Sequence, residues 1–334
     1  MLRYALRQLA YLPMVLLGAS LLIFLLLRAL PGDPAALLAG EWATEEQVVR
    51  VRQQLHLDEP LYVQYVAWLG DLLRGNLGRS FRNGELVSTE VAARLPATVE
   101  LAVPALVLGV AAGLVLGLLA ATFRGTWWDN GVMVLSLAGI AVPVFWMGLM
   151  LIMLFSVKLT WLPLGGRFPA EGALTGPTGF LVLDGILAGR PAYAWDAARH
   201  LVLPVITLAL FPMATVARVT RSSLLEVLQQ DYIRTARAKG LARVPVLMRH
   251  ALRNALIPVV TIVGISIGPL VGGAVLTETV YGWPGLGRYV VAVVIGRDFP
   301  AVQALVLFAA LLFATANVLV DLSYALIDPR IRFE

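Results

Sequence analysis

The residues of this chain that could do chemistry are few and widely spaced. There are three histidines (His56, His200, His250) and no cysteine, so thiol nucleophiles, disulfides and cysteine-ligated metals are excluded. No metal-binding cluster of His or Cys is evident. No apolar run carries a serine with a histidine or a pair of aspartates, which argues against a membrane protease. A Gly-x4-Gly-Lys-Ser/Thr phosphate loop is absent, and the only lysines are Lys158 and Lys239, so the chain has no ATP site of that kind. What remains is a concentration of positive charge. Residues 218–254 hold Arg218, Arg221, Arg234, Arg237, Lys239, Arg243, Arg249 and Arg253, opposed only by Glu226 and Asp231. Glu278, Asn317 and Asp321 stand inside or at the ends of apolar runs, where polar groups usually face a cavity or a partner.

The elements that must carry these groups are membrane helices. Of 334 residues 59% are hydrophobic and 14% charged, against about 25% charged in soluble domains, and lipid is the solvent that absorbs such an excess. Six apolar segments read as spans, 9–30, 99–123, 132–157, 201–217, 255–279 and 301–327. They lack the alternation of barrel strands, so helices are required. Prolines 143, 204, 212 and 269 lie within them. The first run follows Arg3 and Arg7, is as long as a full span and precedes no small-x-small cleavage site, so it reads as a retained helix. Arg28 near its end reads as snorkelling outward.

The expected organisation is a first helix in residues 1–30, an external domain in 31–98, and a five-helix core in 99–330 with a loop at 218–254. The first long loop carries more acids than bases, so the positive-inside bias puts the basic loop and both termini in the cytoplasm. The basic residues beside a bilayer need no nucleic acid. Gly109, Gly113 and Gly117, and again Gly264, Gly268 and Gly272, recur at every fourth position. That spacing flattens one helix side and permits close packing, a better reading than a ligand site.

Within the basic loop, Ser223-Leu224-Leu225-Glu226 has the form of a capping box. A helix is expected over 227–239, stopped by Gly240 in left-handed conformation, with a second short helix over 246–255 after Pro245. On physics alone this could be a basic helix resting on anionic headgroups.

The string Asp231-Tyr232-Ile233-Arg234-Thr235-Ala236-Arg237-Ala238-Lys239-Gly240-Leu241, followed by Arg249-His250-Ala251-Leu252-Arg253-Asn254-Ala255, resembles the cytoplasmic signature of the dipeptide/oligopeptide permease subunits of bacterial ABC importers. Arg234-Thr235-Ala236 stands at the E-A-A positions of the general importer loop and Gly240 at its glycine, the first two residues departing from that pattern in the manner of the peptide-permease variant. The likeness extends to Leu30-Pro31-Gly32-Asp33-Pro34, to Pro60–Tyr65, to Gly75-Asn76-Leu77-Gly78-Arg79-Ser80 (with Asn76 where Asp is usual), to Glu278–Gly287 and to Arg297-Asp298-Phe299-Pro300.

The resemblance implies an all-α polytopic inner-membrane protein with six transmembrane helices, the type I importer permease fold, and an external domain after the first helix, as in the B-type subunit. It implies no enzyme activity and no cofactor of its own. The implied partners are a second permease, two ATPase subunits and an external substrate-binding protein. Coupling to the ATPases would fall to Asp231, Arg234, Thr235, Ala236, Arg237, Lys239, Gly240 and Leu241, while Glu278, Trp283 and Asp298 are candidates for the pathway or its gate. The cargo class ranges over dipeptides, oligopeptides, nickel chelates and glutathione. A stand-alone secondary transporter is the rival reading, and transport without any ATPase would distinguish it.

Overall fold

The computed structural model describes residues 2–29, 35, 44–54, 57–168 and 176–327, excepting the side chains of 2–11, 51, 54 and 319–327. The Leu30–Pro34 motif, His56 and the Asp321 side chain lie outside what is described. Among the described residues the chain is helical, with one isolated antiparallel bridge, Arg79 to Leu86.

In chain order the helices are α1 (Leu2–Ala29), α2 (Glu45–Gln54), α3 (Leu61–Leu73), α4 (Val87–Thr122), α5 (Trp127–Ala141), α6 (Val144–Leu151), α7 (Leu181–Leu187), α8 (Pro191–Val227), α9 (Asp231–Ala238), α10 (Arg243–Val280), α11 (Leu286–Ile295) and α12 (Phe299–Ile327). A π-wound stretch, Ile152–Lys158, extends α6, and another, Val246–Ala251, lies inside α10. Among the described residues five helices (α1, α4, α8, α10, α12) are long and apolar enough to cross a membrane. Met14, Leu22 and Leu26 on α1 are each more than half exposed. Water would penalise that surface, whereas hydrocarbon does not, and a helix satisfies its own backbone there.

The expected third span is not one straight helix. α5 and the α6 rod meet at a bend of 108°, and only taken together are they long and apolar enough to count as a sixth span. Pro143 is the cause: it has no N–H to continue the ladder, and Val142 before it is held extended (φ −79°, ψ 128°). Pro104, Pro204, Pro212, Pro258 and Pro269 lie inside helices that continue through them.

α8 forms the centre of the bundle, packed against α4, α5, α7 and α10. Its contact with α4 is made over the first glycine series. A Cβ on Gly113 would stand 2.7 Å from the Met213 carbonyl oxygen and 2.8 Å from Val216 Cβ; on Gly117 it would stand 2.6 Å from both the Ala217 oxygen and Thr220 Cβ. Only hydrogen fits where the two backbones run this close. The second series behaves differently. A Cβ on Gly268 would meet the edge of the Phe313 ring at 3.1 Å, and one on Gly272 would meet nothing within 4 Å. Gly264 is buried, so along this face of α10 the packing loosens toward Gly272.

At the end of the bundle where α4 begins, α3 docks on α1. Phe24 stacks on Trp68 and meets Tyr65 edge-on, with the Tyr65 hydroxyl 2.8 Å from Ser20 Oγ. Arg28 does not snorkel away: its Nε donates to Gln64 Oε1 at 2.9 Å, and its guanidinium covers the Phe24 ring. The residue-98 boundary falls inside α4, which starts at Val87 because Val87 and Val91 pack into a core with α1, α11 and α12.

Candidate functional site

The expected capping box does not start a helix. Ser223 is buried inside α8, which runs on to Val227, because Leu224 is wholly enclosed by Ile233, Ala236, Val246, Ala251 and Ala255. Burial of that leucine outweighs the local capping preference. After a turn at 228–230, α9 begins at Asp231 with no side-chain cap. It ends at Gly240, whose φ of +82° is the left-handed conformation that glycine adopts without penalty. A Cβ there would meet nothing within 4 Å, so φ is the constraint rather than crowding. The second short helix is not separate either. From Arg243 onward the chain is continuous helix through α10, with Pro245 in its first turn.

α9 therefore has two faces. Ile233 and Ala236 are buried against the ends of α8 and α10, so Ala236, one of the expected coupling residues, faces the chain's own core. Asp231, Arg234, Thr235, Arg237, Lys239 and Leu241 are exposed. Arg234 and Asp231 make only a loose exposed pair at 3.5 Å. Beside them stand exposed apolar side chains, Tyr232, Leu241, Val244 and Met248. Sequence reading missed the last two, although their spacing of four puts them on one helix face. Tyr232 is held by the Asn254 amide at 2.7 Å, and Arg243 donates to the last carbonyl of α4, Thr122, at 2.9 Å.

The opposite end of the bundle is closed by the segment after α10. Glu278 has no exposed surface. Thr98 Oγ1 donates to one carboxylate oxygen at 2.7 Å and the Arg288 N–H to the other at 2.8 Å. Gly285 and Gly287 pass so near this carboxylate that a side chain on either would collide with it or with the backbone of Val275. The Trp283 N–H donates to the Glu278 carbonyl at 2.8 Å, and its indole Nε1–H to the Ala97 carbonyl at 2.8 Å. Tyr281 reaches the Thr207 hydroxyl at 2.8 Å and the Gly148 carbonyl. Asp298 forms a separate knot, accepting from Ser80 Oγ and from the Phe81 N–H at 3.1 Å. Glu278, Trp283 and Asp298 are thus enclosed by their own chain, where they fasten loops.

Two buried ion pairs escaped the sequence reading. Glu100 on α4 accepts Arg167 Nε at 3.0 Å and the Val182 N–H at 3.0 Å, pinning the segment before α7. Asp129 at the start of α5 takes both prongs of the Arg221 fork, so that Arg221 ties α8 to α5 instead of standing free in the basic loop. An acid in the run after Val99 was the available signal for the first pair.

Similarity to known proteins fits this architecture. The family model described as "Binding-protein-dependent transport system inner membrane component" matches residues 113–333, and "Binding-prot-dependent transport system membrane comp, N-term" matches residues 1–102. Among curated proteins, a di/tripeptide transport system permease protein of Pseudomonas aeruginosa is 45% identical over 335 residues, with 100% of each chain covered. A dipeptide transport system permease protein of Alkalihalophilus pseudofirmus is 41% identical, again with 100% of each covered. A probable D,D-dipeptide transport system permease protein of Escherichia coli K12 is 45% identical over 95% of this chain and 94% of its own.

Proposed function

The chain belongs to the binding-protein-dependent transport system inner membrane component family, and on that premise we propose that it carries short peptides inward as one of two permeases driven by separate ATPases. It is an ABC importer permease subunit, an all-α multi-pass membrane protein. The peptide cargo is taken from the names of full-length relatives, and the second permease, two ATPases and external binding protein from the family's mode of action. The positive-inside bias favours a cytoplasmic position for α9 and both termini. On this reading residues 31–98 and the α7 and α11 regions face outward. The core from residue 99 spans.

The observation that carries the coupling reading is the two-faced α9. Its outer face offers arginines around an apolar patch, the composition of a recognition surface with a packed centre and a charged rim. Its inner face is fused through Ile233 and Ala236 to the ends of α8 and α10. A partner that moves α9 must move those helix ends, and α8 in turn grips α4 across the glycine seam. Closure of two ATPases on ATP would then draw the two permeases together at this end and open the other, a rigid-body switch biased by nucleotide binding.

The test is reconstitution of the two permeases in liposomes, with and without the ATPases, binding protein and ATP. Uptake of dialanine is expected only with all of them present. Uptake by the permeases alone on an ion gradient would establish the secondary-transporter reading instead.

A further inference from the structure

At the end of the bundle remote from α9 lies a cavity of about 440 Å³ between the Ser80–Asn83 turn, the first turns of α4 and the Pro284–Ala292 segment. The 36 residues of α4 put roughly 54 Å of helix between the two ends. The volume falls within the range of small-molecule sites, about 300–1,000 Å³. Its charge is one-sided: Arg82, Arg94 and Arg288 line it against the single carboxylate of Glu90. Glu90 is already engaged, by Arg94 and by the Asn83 amide at 3.0 Å. Arg94 is held in place over the Tyr289 ring at 4.3 Å. The nearby Asp298 carboxylate is taken by Ser80 and the Phe81 N–H.

Two cations are left over. The Arg82 guanidinium makes no ion pair or hydrogen bond among the described residues, its stem lying against Gly296. Arg288 spends one nitrogen on the Gly282 carbonyl at 3.0 Å and keeps its other donors. Tyr289 also lines the cavity, with a buried hydroxyl that has no hydrogen-bond partner. Burial, followed by the negative charges of Glu90 and Asp298, raises its phenol above the ordinary range, so the group stays protonated and can donate. Two guanidinium forks and a phenol donor around one concavity match the planar, two-oxygen geometry of a carboxylate.

We propose that this cavity binds the carboxylate of a small solute and that, on the peptide-importer reading above, it receives the C-terminal carboxylate of an arriving peptide. Its volume of about 440 Å³ suits a small solute group. An orphan hydroxyl and two unneutralised arginines are satisfied together by one such ligand, whereas an uncharged group would leave the arginines repelling each other.

The test uses the assembled transporter in phosphatidylcholine nanodiscs. Phenylglyoxal modification of individual arginines is followed by mass spectrometry, with sodium acetate as the probe. Acetate should slow modification of Arg82 and Arg288 but not of exposed Arg74, and equal sodium chloride should not. No protection, or equal protection by chloride, overturns the proposal. So does protection by phosphatidylglycerol nanodiscs without acetate, which would make lipid the occupant. In proteoliposomes, Arg82→Gln and Tyr289→Phe should raise KM for dialanine, the former about tenfold, while leaving that for dialanine amide unchanged. Equal effects on both solutes would also overturn it. If the wild type carries no peptide yet acetate protects, the cargo reading fails and the site stands.

Discussion

Replacing Gly113 and Gly272 by alanine, one at a time, should move stability in opposite directions. Alanine is worth about 1 kcal/mol over glycine inside a helix, so each variant starts with that gain. At Gly272 nothing lies within 4 Å of the new methyl group, and the gain is kept. At Gly113 the methyl would press on the Met213 carbonyl oxygen at 2.7 Å and on Val216 Cβ at 2.8 Å. Neither neighbour is the loose end of a long side chain, so α4 and α8 must separate. Overpacking of this kind costs roughly 1–3 kcal/mol, and the rigid opposing backbone argues for the upper half of that range, a net loss of about 1–2 kcal/mol. The two variants should then differ by about 2–3 kcal/mol, roughly 30- to 150-fold in the unfolding equilibrium. The assay is SDS titration of the detergent-purified chain, read by tryptophan fluorescence, with Gly113→Leu as the extreme case. Equal midpoints for Gly113→Ala and Gly272→Ala would refute the close-seam argument.

Further outcomes follow from the same contacts. Glu278→Gln keeps the shape but weakens acceptance from Thr98 and the Arg288 N–H, a loss of about 1–3 kcal/mol; amide hydrogen exchange in 281–287 should speed up while α4 is unchanged. Arg167→Ala leaves Glu100 buried without its partner, which typically costs about 3–5 kcal/mol. Faster exchange at 176–188, partly restored by adding Glu100→Leu, is the expected sign. For topology, the cysteine-free chain accepts single probes cleanly. In intact cells an impermeant thiol reagent should label Glu46→Cys and spare Gln229→Cys, and the reverse pattern would overturn the orientation.

The spans were legible because a membrane helix is written locally, as a long apolar run, and Gly240 was legible because a helix stop at φ +82° favours one residue type. The failures have a common cause. Ser223-x-x-Glu226 has the right local form for a cap, but Leu224 is buried by residues from α9 and α10, and that packing keeps α8 helical. The resemblance places Ala236 among the coupling residues, while the apolar partners that bury it come from α8 and α10. Glu100 and Arg167 are 67 residues apart and Asp129 and Arg221 are 92, so no window of sequence pairs them. The two glycine series look alike as spacing; only the neighbouring helix makes one a seam and leaves Gly272 open.

The account rests most directly on α9 as the surface that engages an ATPase. Gly240→Glu puts a charged side chain into open space beside that surface and costs about 1–2 kcal/mol for a left-handed non-glycine residue. That cost is local, outside the buried cluster, so membrane insertion should be normal. Arg234→Ala removes an exposed rim charge worth little beside a packed centre. The decisive measurement is co-purification of the ATPases with each variant, with peptide transport assayed in parallel. Gly240→Glu should lose both and Arg234→Ala should keep most of both. If Gly240→Glu retains its ATPases and its transport, α9 is not the coupling element.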